Sequence, residues 1–157
     1  GPHVKKYVNV RSDGAPVSDA TKYFVDIDFP VFRLSEMYLI YAEAVLRGGT
    51  GGDAATALTY LNLIRTRAGA TALNASDLTP VATGLQNILN ERGRELYWEG
   101  HRRTDLVRYG LLTTGTYLWP WKGGVASGTA VDSKYNIFPI PSTNRTANPN
   151  PTQNAGY

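Results

Sequence analysis

Apolar residues recur with a helical period over three stretches of this chain and lack a sustained period elsewhere. The clearest stretch is "RLSEMYLIYAEAVLR", Arg33 to Arg47. At 100° per residue its polar positions Glu36, Glu43 and Arg47 fall on one narrow stripe, and the other faces are apolar. That pattern predicts a helix enclosed on most sides. Gly48, Gly49, Gly51 and Gly52 end it, and Asp53 stands where it would cap a second helix over Ala54 to Ala68, stopped by Gly69. Two helices joined by a glycine loop predict an antiparallel hairpin. A polar connector containing Pro80 leads to a third and longest helix, from about Leu85 to Tyr109, ending at Gly110.

The flanks read differently. "YVNVR" and "KYFVDIDF" alternate weakly around Asp13-Gly14 and Pro16, as an extended segment or a short hairpin would. Beyond Gly110 the chain is punctuated by Pro120, Pro139, Pro141, Pro149 and Pro151, yet it carries Trp119, Trp121, Tyr135, Ile137, Phe138 and Ile140. Ordered loops and turns packed on the helices are expected there. The predicted fold is mainly α in one domain: an extended segment over 1–32, a helical scaffold over 33–110 and a loop-rich tail over 111–157.

Composition agrees with a folded domain, since 157 residues with 42% hydrophobic and 11% aromatic content can bury a sizeable core. The 16 basic and 13 acidic residues are intermixed, so the net charge of +3 lacks the clustering that nucleic-acid binding asks for, and no nucleic-acid partner is predicted. The absence of cysteine excludes disulfides and thiolate metal sites and leaves the redox compartment open. No apolar run approaches the roughly 20 residues of a membrane-spanning helix. Gly1-Pro2-His3 is an unusual natural start.

Candidate chemistry concentrates in "NERGRELYWEGHRRTDLVRYG", Asn90 to Gly110. On a helical wheel Arg92, Glu99 and Arg103 sit within the apolar stripe of Leu85, Ile88, Leu89, Leu96, Leu106 and Val107. In the second helix Arg65 and Asn62 lie beside Leu58 and Leu61. Charges facing a core have to be paired, and Glu99 and Arg103 are i, i+4 neighbours in the favourable order. One reading is a general acid/base site on Glu99; the other is an ion-pair network of Arg65, Arg92, Glu99 and Arg103 that sets the helix register. Arginines beside a carboxylate hold its pKa down and make it a poor proton donor, which favours the network and predicts no enzyme. His101 and Asp105 are also i, i+4 but face away, and only His3 could join them, so neither a metal site nor a cofactor is predicted. Glu91 and Glu95 lack the Glu-x-x-His pairs of a di-iron bundle and are assigned, with Arg94, Arg102 and Arg108, to solvated surface pairs.

"TYLWPWKGG", Thr116 to Gly124, is the candidate ligand contact. Sugars present apolar C–H faces on which aromatic rings stack. In an extended segment, alternation would put Tyr117, Trp119 and Trp121 on one side. The alternative is that these rings cap the helices and anchor the tail. Gly123, Gly124 and Gly128 suggest a mobile loop in either case.

Several of these stretches, taken in order, resemble the C-terminal portion of the SusD/RagB outer-membrane glycan-binding lipoproteins: "FPVFRLSEMYLIYAEAV", "ALTYLNLIRTRAG", "ERGRELYWEGHRRTDLVRYG", "YNIFPIP" and "NPNPTQNAGY". Gly93, where the family commonly has a larger residue, and Asn154-Ala155-Gly156, where Asn-Pro-Gly is usual, depart from its pattern. The resemblance implies a tetratricopeptide-like scaffold at the cell-surface side of the outer membrane, held by a lipid anchor upstream of this fragment. It also implies two partners, an oligosaccharide or polysaccharide and a SusC-like TonB-dependent transporter. The alternative is a helical-repeat module that docks to a protein without sugar contact in this portion.

Overall fold

The structure, a computed structural model, describes residues 6–11, 13–19, 21 and 23–157. It divides into two compact units, Gly1–Gly100 and His101–Tyr157. Among the described residues the regular elements are all helical.

The first unit is built on three helices, α1 (Leu34–Leu46), α2 (Ala54–Arg67) and α3 (Val81–Glu95). No glycine or proline interrupts α1, and the left-handed Gly48 (φ +89°) stops it while the Gly49 N–H closes back on Ala44 O at 2.8 Å. The loop that follows has to be narrow. A Cβ on Gly52 would lie 2.7 Å from the Val45 side chain and 2.8 Å from the Tyr41 hydroxyl. Asp53 then caps α2 by accepting from the Thr56 N–H at 2.8 Å, and Gly69 (φ +72°) ends that helix.

The fully buried Ala42 and Ala57 keep side chains short where the α1–α2 hairpin closes, and Leu39, Leu61 and Ile64 fill the space toward Ile88 and Leu96. Tyr60 of α2 stacks on Tyr38 (centroids 4.3 Å apart) and meets Tyr41 edge-on at 5.1 Å. A short 3-10 turn, Ala75–Leu78, brings the connector beneath the start of α3, where Gly84 approaches the Leu78 backbone.

The helix predicted over Leu85–Tyr109 is instead two, with α3 ending at Glu95 and α4 (Arg102–Arg108) beginning the second unit. Trp98 (φ +66°) and Gly100 (φ +80°) are left-handed, which no right-handed helix accommodates. The wheel drawn across this stretch therefore fails beyond Glu95, and the i, i+4 relation assumed for Glu99 and Arg103 does not exist.

The N-terminal stretch carries no strand among its described residues, so the short-hairpin alternative is not met there. Side chains tie it locally: Asp26 accepts from the Ser18 N–H at 2.7 Å, and the Asp26 N–H donates to Asn9 Oδ1 at 3.1 Å. Val4, Lys5 and the Gly1-Pro2-His3 start lie outside the described residues.

In the second unit α4 is followed by loops, two 3-10 turns (Lys122–Gly124 and Ser133–Asn136) and α5 (Ser142–Ala147). The last residues pair with "YNIFPIP". The Ile140 N–H donates to Gln153 Oε1 (2.9 Å) while Gln153 Nε2 donates to Ile140 O (3.0 Å), and Asn154 Nδ2 donates to Phe138 O (2.7 Å). The amides stand in for a second strand, satisfying backbone groups that Pro139 and Pro141 keep out of a ladder.

Gly84→Ala tests the packing of α3. Alanine raises helix propensity by about 1 kcal/mol, but its Cβ would lie 2.8 Å from Leu78 O and 2.7 Å from Leu46 Cδ1. Overpacking costs about 1–3 kcal/mol, so urea denaturation should show a net loss of stability rather than the gain propensity predicts.

Candidate functional site

Two polar constructions stand out, one in each unit. In the first, Arg33 occupies the extended position just before α1 and sends its guanidinium to the end of α3. Its Nε donates to Glu99 Oε2 at 2.7 Å, Nη1 to Glu95 Oε1 at 2.5 Å, and Nη2 to Glu95 O at 2.6 Å and Glu99 Oε1 at 2.9 Å. Lys6 adds a bond to Glu99 and others to the carbonyls of Glu95 (2.7 Å) and Tyr97 (3.0 Å), and Arg67 of α2 meets Glu95 at 2.5 Å. Glu99 is drawn out of helical register into this cluster, which is why the chain turns at Trp98.

Burial is the largest influence on the Glu99 carboxyl and pushes its pKa up, but the hydrogen bonds from Arg33 and Lys6 outweigh it and the net shift is downward. The side chain is ionised at neutral pH. It is a tie, not a proton donor.

The other residues assigned to this network are distributed around it. Arg65, half-buried, bridges α2 to Glu91 at 2.7 Å and holds Thr71 O, and the buried Arg92 lies 3.9 Å from the buried Glu36. Arg103 belongs to the second unit, where it donates to Tyr135 O and stacks over the Phe138 ring at 4.0 Å. Glu91 and Glu95 are buried anchors rather than solvated surface partners, and Asp105, paired with Arg108 at 2.9 Å, is 1% exposed. Restarting the helix at Arg102 changes the phase and turns Asp105 inward. Among the described residues no three histidine or acidic side chains gather as a metal site would need, and His3 lies outside them.

The second construction surrounds Trp119. Lys122, 3% exposed, has its ammonium 2.6 Å from Thr114 O, 2.7 Å from Tyr117 O and 3.5 Å from Leu111 O, with the Trp119 ring 4.8 Å away. A buried ammonium is costly unless its donors are met; carbonyls and an aromatic face meet them here. Tyr117 and Trp119 meet edge-on at 6.2 Å, and Arg102 hydrogen-bonds the Tyr117 hydroxyl.

The three candidate rings do not share one extended segment. Residues 112–117 form bends, and Trp121 is left-handed (φ +70°) in a turn closed by its N–H on Val125 O at 3.1 Å. Trp121 is 70% exposed, whereas Trp119 (38%) lines a cleft of about 430 Å³ with Leu112, Val131, Tyr135, Ile137, Phe138 and Tyr157. Gly123 and Gly128, expected to lend mobility, sit where the chain has no room for a side chain: their Cβ atoms would lie 2.6 Å from Thr129 Cγ2 and 2.5 Å from Trp119 O. Lys122 and the walls Tyr135, Phe138 and Tyr157 were missed as site residues. Lys122 resembled one more surface lysine, and only the fold returns residues 131–157 to Trp119; the sole sequence signal was a lysine between tryptophan and two glycines.

Together these features define a mainly helical protein with a tetratricopeptide-like hairpin and an aromatic cleft in a loop-rich unit. The SusD family model matches residues 1–157, and the chain belongs to that family. It is 46% identical over all 157 residues to the starch-binding protein SusD of Bacteroides thetaiotaomicron, of which the match covers 26%. A SusD superfamily protein from Parabacteroides distasonis has a similar structure, with a TM-score of 0.59 and 28% identity over 85% of this chain and 28% of that one. The chain thus spans about a quarter of the length of these relatives.

Removing Arg33 would leave Glu95 and Glu99 partly unpaired, so Arg33→Ala should cost about 3 kcal/mol in chemical denaturation. The pH dependence has a defined sign. Because Glu99 has a folded pKa below its unfolded value of about 4.3, its contribution is full above that value and is lost as pH falls through the folded pKa. Thermal melts between neutral pH and pH 3 should show the stability difference between wild type and Glu99→Gln shrinking on the acid side.

Proposed function

We propose that this chain is part of a non-catalytic carbohydrate-binding component of an outer-membrane nutrient-uptake complex, working with a SusC-like TonB-dependent transporter at the cell surface and held by a lipid anchor. Membership of the SusD family and the starch-binding role of the relative at 46% identity support the class of ligand, a glycan of starch-like type. The observation in this chain that carries the reading is the presentation of Trp119 and Trp121: two indoles partly or largely exposed on a loop whose backbone is tied by hydrogen bonds. A pre-ordered ring stacks on a sugar face without first losing conformational freedom. The carboxylates of the charged cluster, Glu95 and Glu99, are bound by arginine and lysine and are poorly suited to general acid catalysis, which supports a binding role.

A second reading, docking to a protein, is favoured by α1. Leu34, Met37 and Ile40 recur every three residues and are 64%, 41% and 46% exposed, an apolar stripe of the kind a neighbouring protein surface covers. The transporter is the partner this reading assigns to it.

Calorimetry of the full-length protein with maltoheptaose should show binding that weakens roughly tenfold, about 1.4 kcal/mol, in Trp119→Ala and in Trp121→Ala. Unchanged affinity in both would end the role of these rings. For the docking reading, Met37→Glu with Ile40→Glu should reduce co-purification with the transporter while leaving maltoheptaose affinity intact.

A further inference from the structure

We infer that the cleft behind Trp119 is a sugar subsite and that Lys122 is its positioning residue, an inference that rests on the glycan-binding role proposed above. The cleft is walled by Trp119, Tyr135, Phe138 and Tyr157, four rings drawn from loop segments that only the fold brings together. Aromatic walls suit the C–H faces of a pyranose, and a volume of about 430 Å³ lies in the lower part of the range of small-molecule sites, about 300–1,000 Å³. Such a space takes a short stretch of glycan rather than a wrapped polymer.

Polar groups for the sugar hydroxyls are also in place. Arg103 lines the cleft and is held over the Phe138 ring, 4.0 Å from its centroid, and by its bond to Tyr135 O, which leaves further guanidinium N–H groups to donate. The Tyr157 hydroxyl, its single proton shared between Ile137 O (3.0 Å) and Lys134 O (3.2 Å), fixes the opposite wall.

Lys122 does not itself offer its charge to a ligand, because its ammonium is spent on Thr114 O, Tyr117 O and Leu111 O. Its effect is on shape. One atom, Nζ, joins the 111–117 loop to the face of the Trp119 ring, and the Lys122 backbone is bonded on both sides, N–H to Trp119 O (3.1 Å) and O from the Thr129 N–H (3.1 Å). A methionine there would keep the unbranched stem as far as Cε and lose the ammonium with its donors. The carbonyls of Thr114 and Tyr117 would turn to water, and the ring would lose the cation that holds its face.

The experiment compares maltoheptaose binding by wild type, Trp119→Ala, Phe138→Ala, Lys122→Met and the double variant Lys122→Met/Trp119→Ala, in the full-length protein well below the melting transition. The Trp119 resonance is followed in 5-fluorotryptophan-labelled protein and assigned by its loss in Trp119→Phe. Phe138 is largely exposed, so its variant folds whatever becomes of Lys122. The expected result is a roughly tenfold loss of affinity in Phe138→Ala and in Lys122→Met, a shifted Trp119 resonance in Lys122→Met, and no further loss when that change is added to Trp119→Ala. If Trp119→Ala weakens binding while Lys122→Met lowers only the melting temperature, Lys122 is structural and its positioning role falls. Unchanged affinity in Phe138→Ala excludes the subsite. If wild type fails to bind maltoheptaose and a panel of other plant and algal glycans, the proposed function falls and the subsite with it.

Discussion

The first unit depends on one guanidinium. Arg33 stands where extended chain becomes α1, and its planar fork reaches both Glu95 and Glu99, the last helical residue of α3 and a residue of the turn beyond it. No apolar contact could do the same, because dispersion has no direction and would leave the end of α3 free to continue as a helix through Gly100. The directional bonds pull Glu99 out of register, and the left-handed Trp98 and Gly100 are the local consequence. Lys6 and Arg67 add two further cations around the two carboxylates, so the N-terminal stretch and α2 are tied to the same point. The hairpin core of Leu39, Ala42, Ala57 and Leu61 provides cohesion, but this cluster decides where the elements stop.

Lys122 plays a comparable part in the second unit by different chemistry. A carboxylate partner would have needed a position of its own, whereas carbonyls are present wherever a loop bends, and one ammonium can gather three. A loop with little regular structure thereby acquires a defined shape around Trp119 without a hydrophobic core large enough to impose it. The amide exchange between Gln153 and Ile140 follows the same economy, a side chain supplying hydrogen bonds that proline-interrupted backbone cannot obtain from a neighbour. Family membership and this architecture agree: two of the motifs that carry the resemblance, "YNIFPIP" and "NPNPTQNAGY", are segments that pair with each other.

Much of the helical part was legible from local signals. Glycines at Gly48 and Gly69 and the cap at Asp53 act within a few residues of themselves, so the hairpin boundaries follow from short-range rules. The third helix was misjudged for a physical reason: Leu96, Tyr97 and Trp98 are acceptable helix residues, and what ends the helix is a partner more than sixty residues away in the chain. Burial of Glu91, Glu95 and Asp105 was hidden likewise, since a carboxylate on a helical wheel looks solvated until the arginine that neutralises it is brought close.

The sequence by itself determined the α1–α2 hairpin and the aromatic content of the candidate site, because these rest on periodicity, capping and residue type, while its ordered motifs carried the resemblance to the family. Tertiary structure alone decided where α3 stops, which charges are core and which are surface, and that Trp119 lines a cleft while Trp121 stands exposed. Those outcomes depend on pairings between residues far apart in the chain, whose energies are set by distance and burial, and neither quantity is written in the order of the residues.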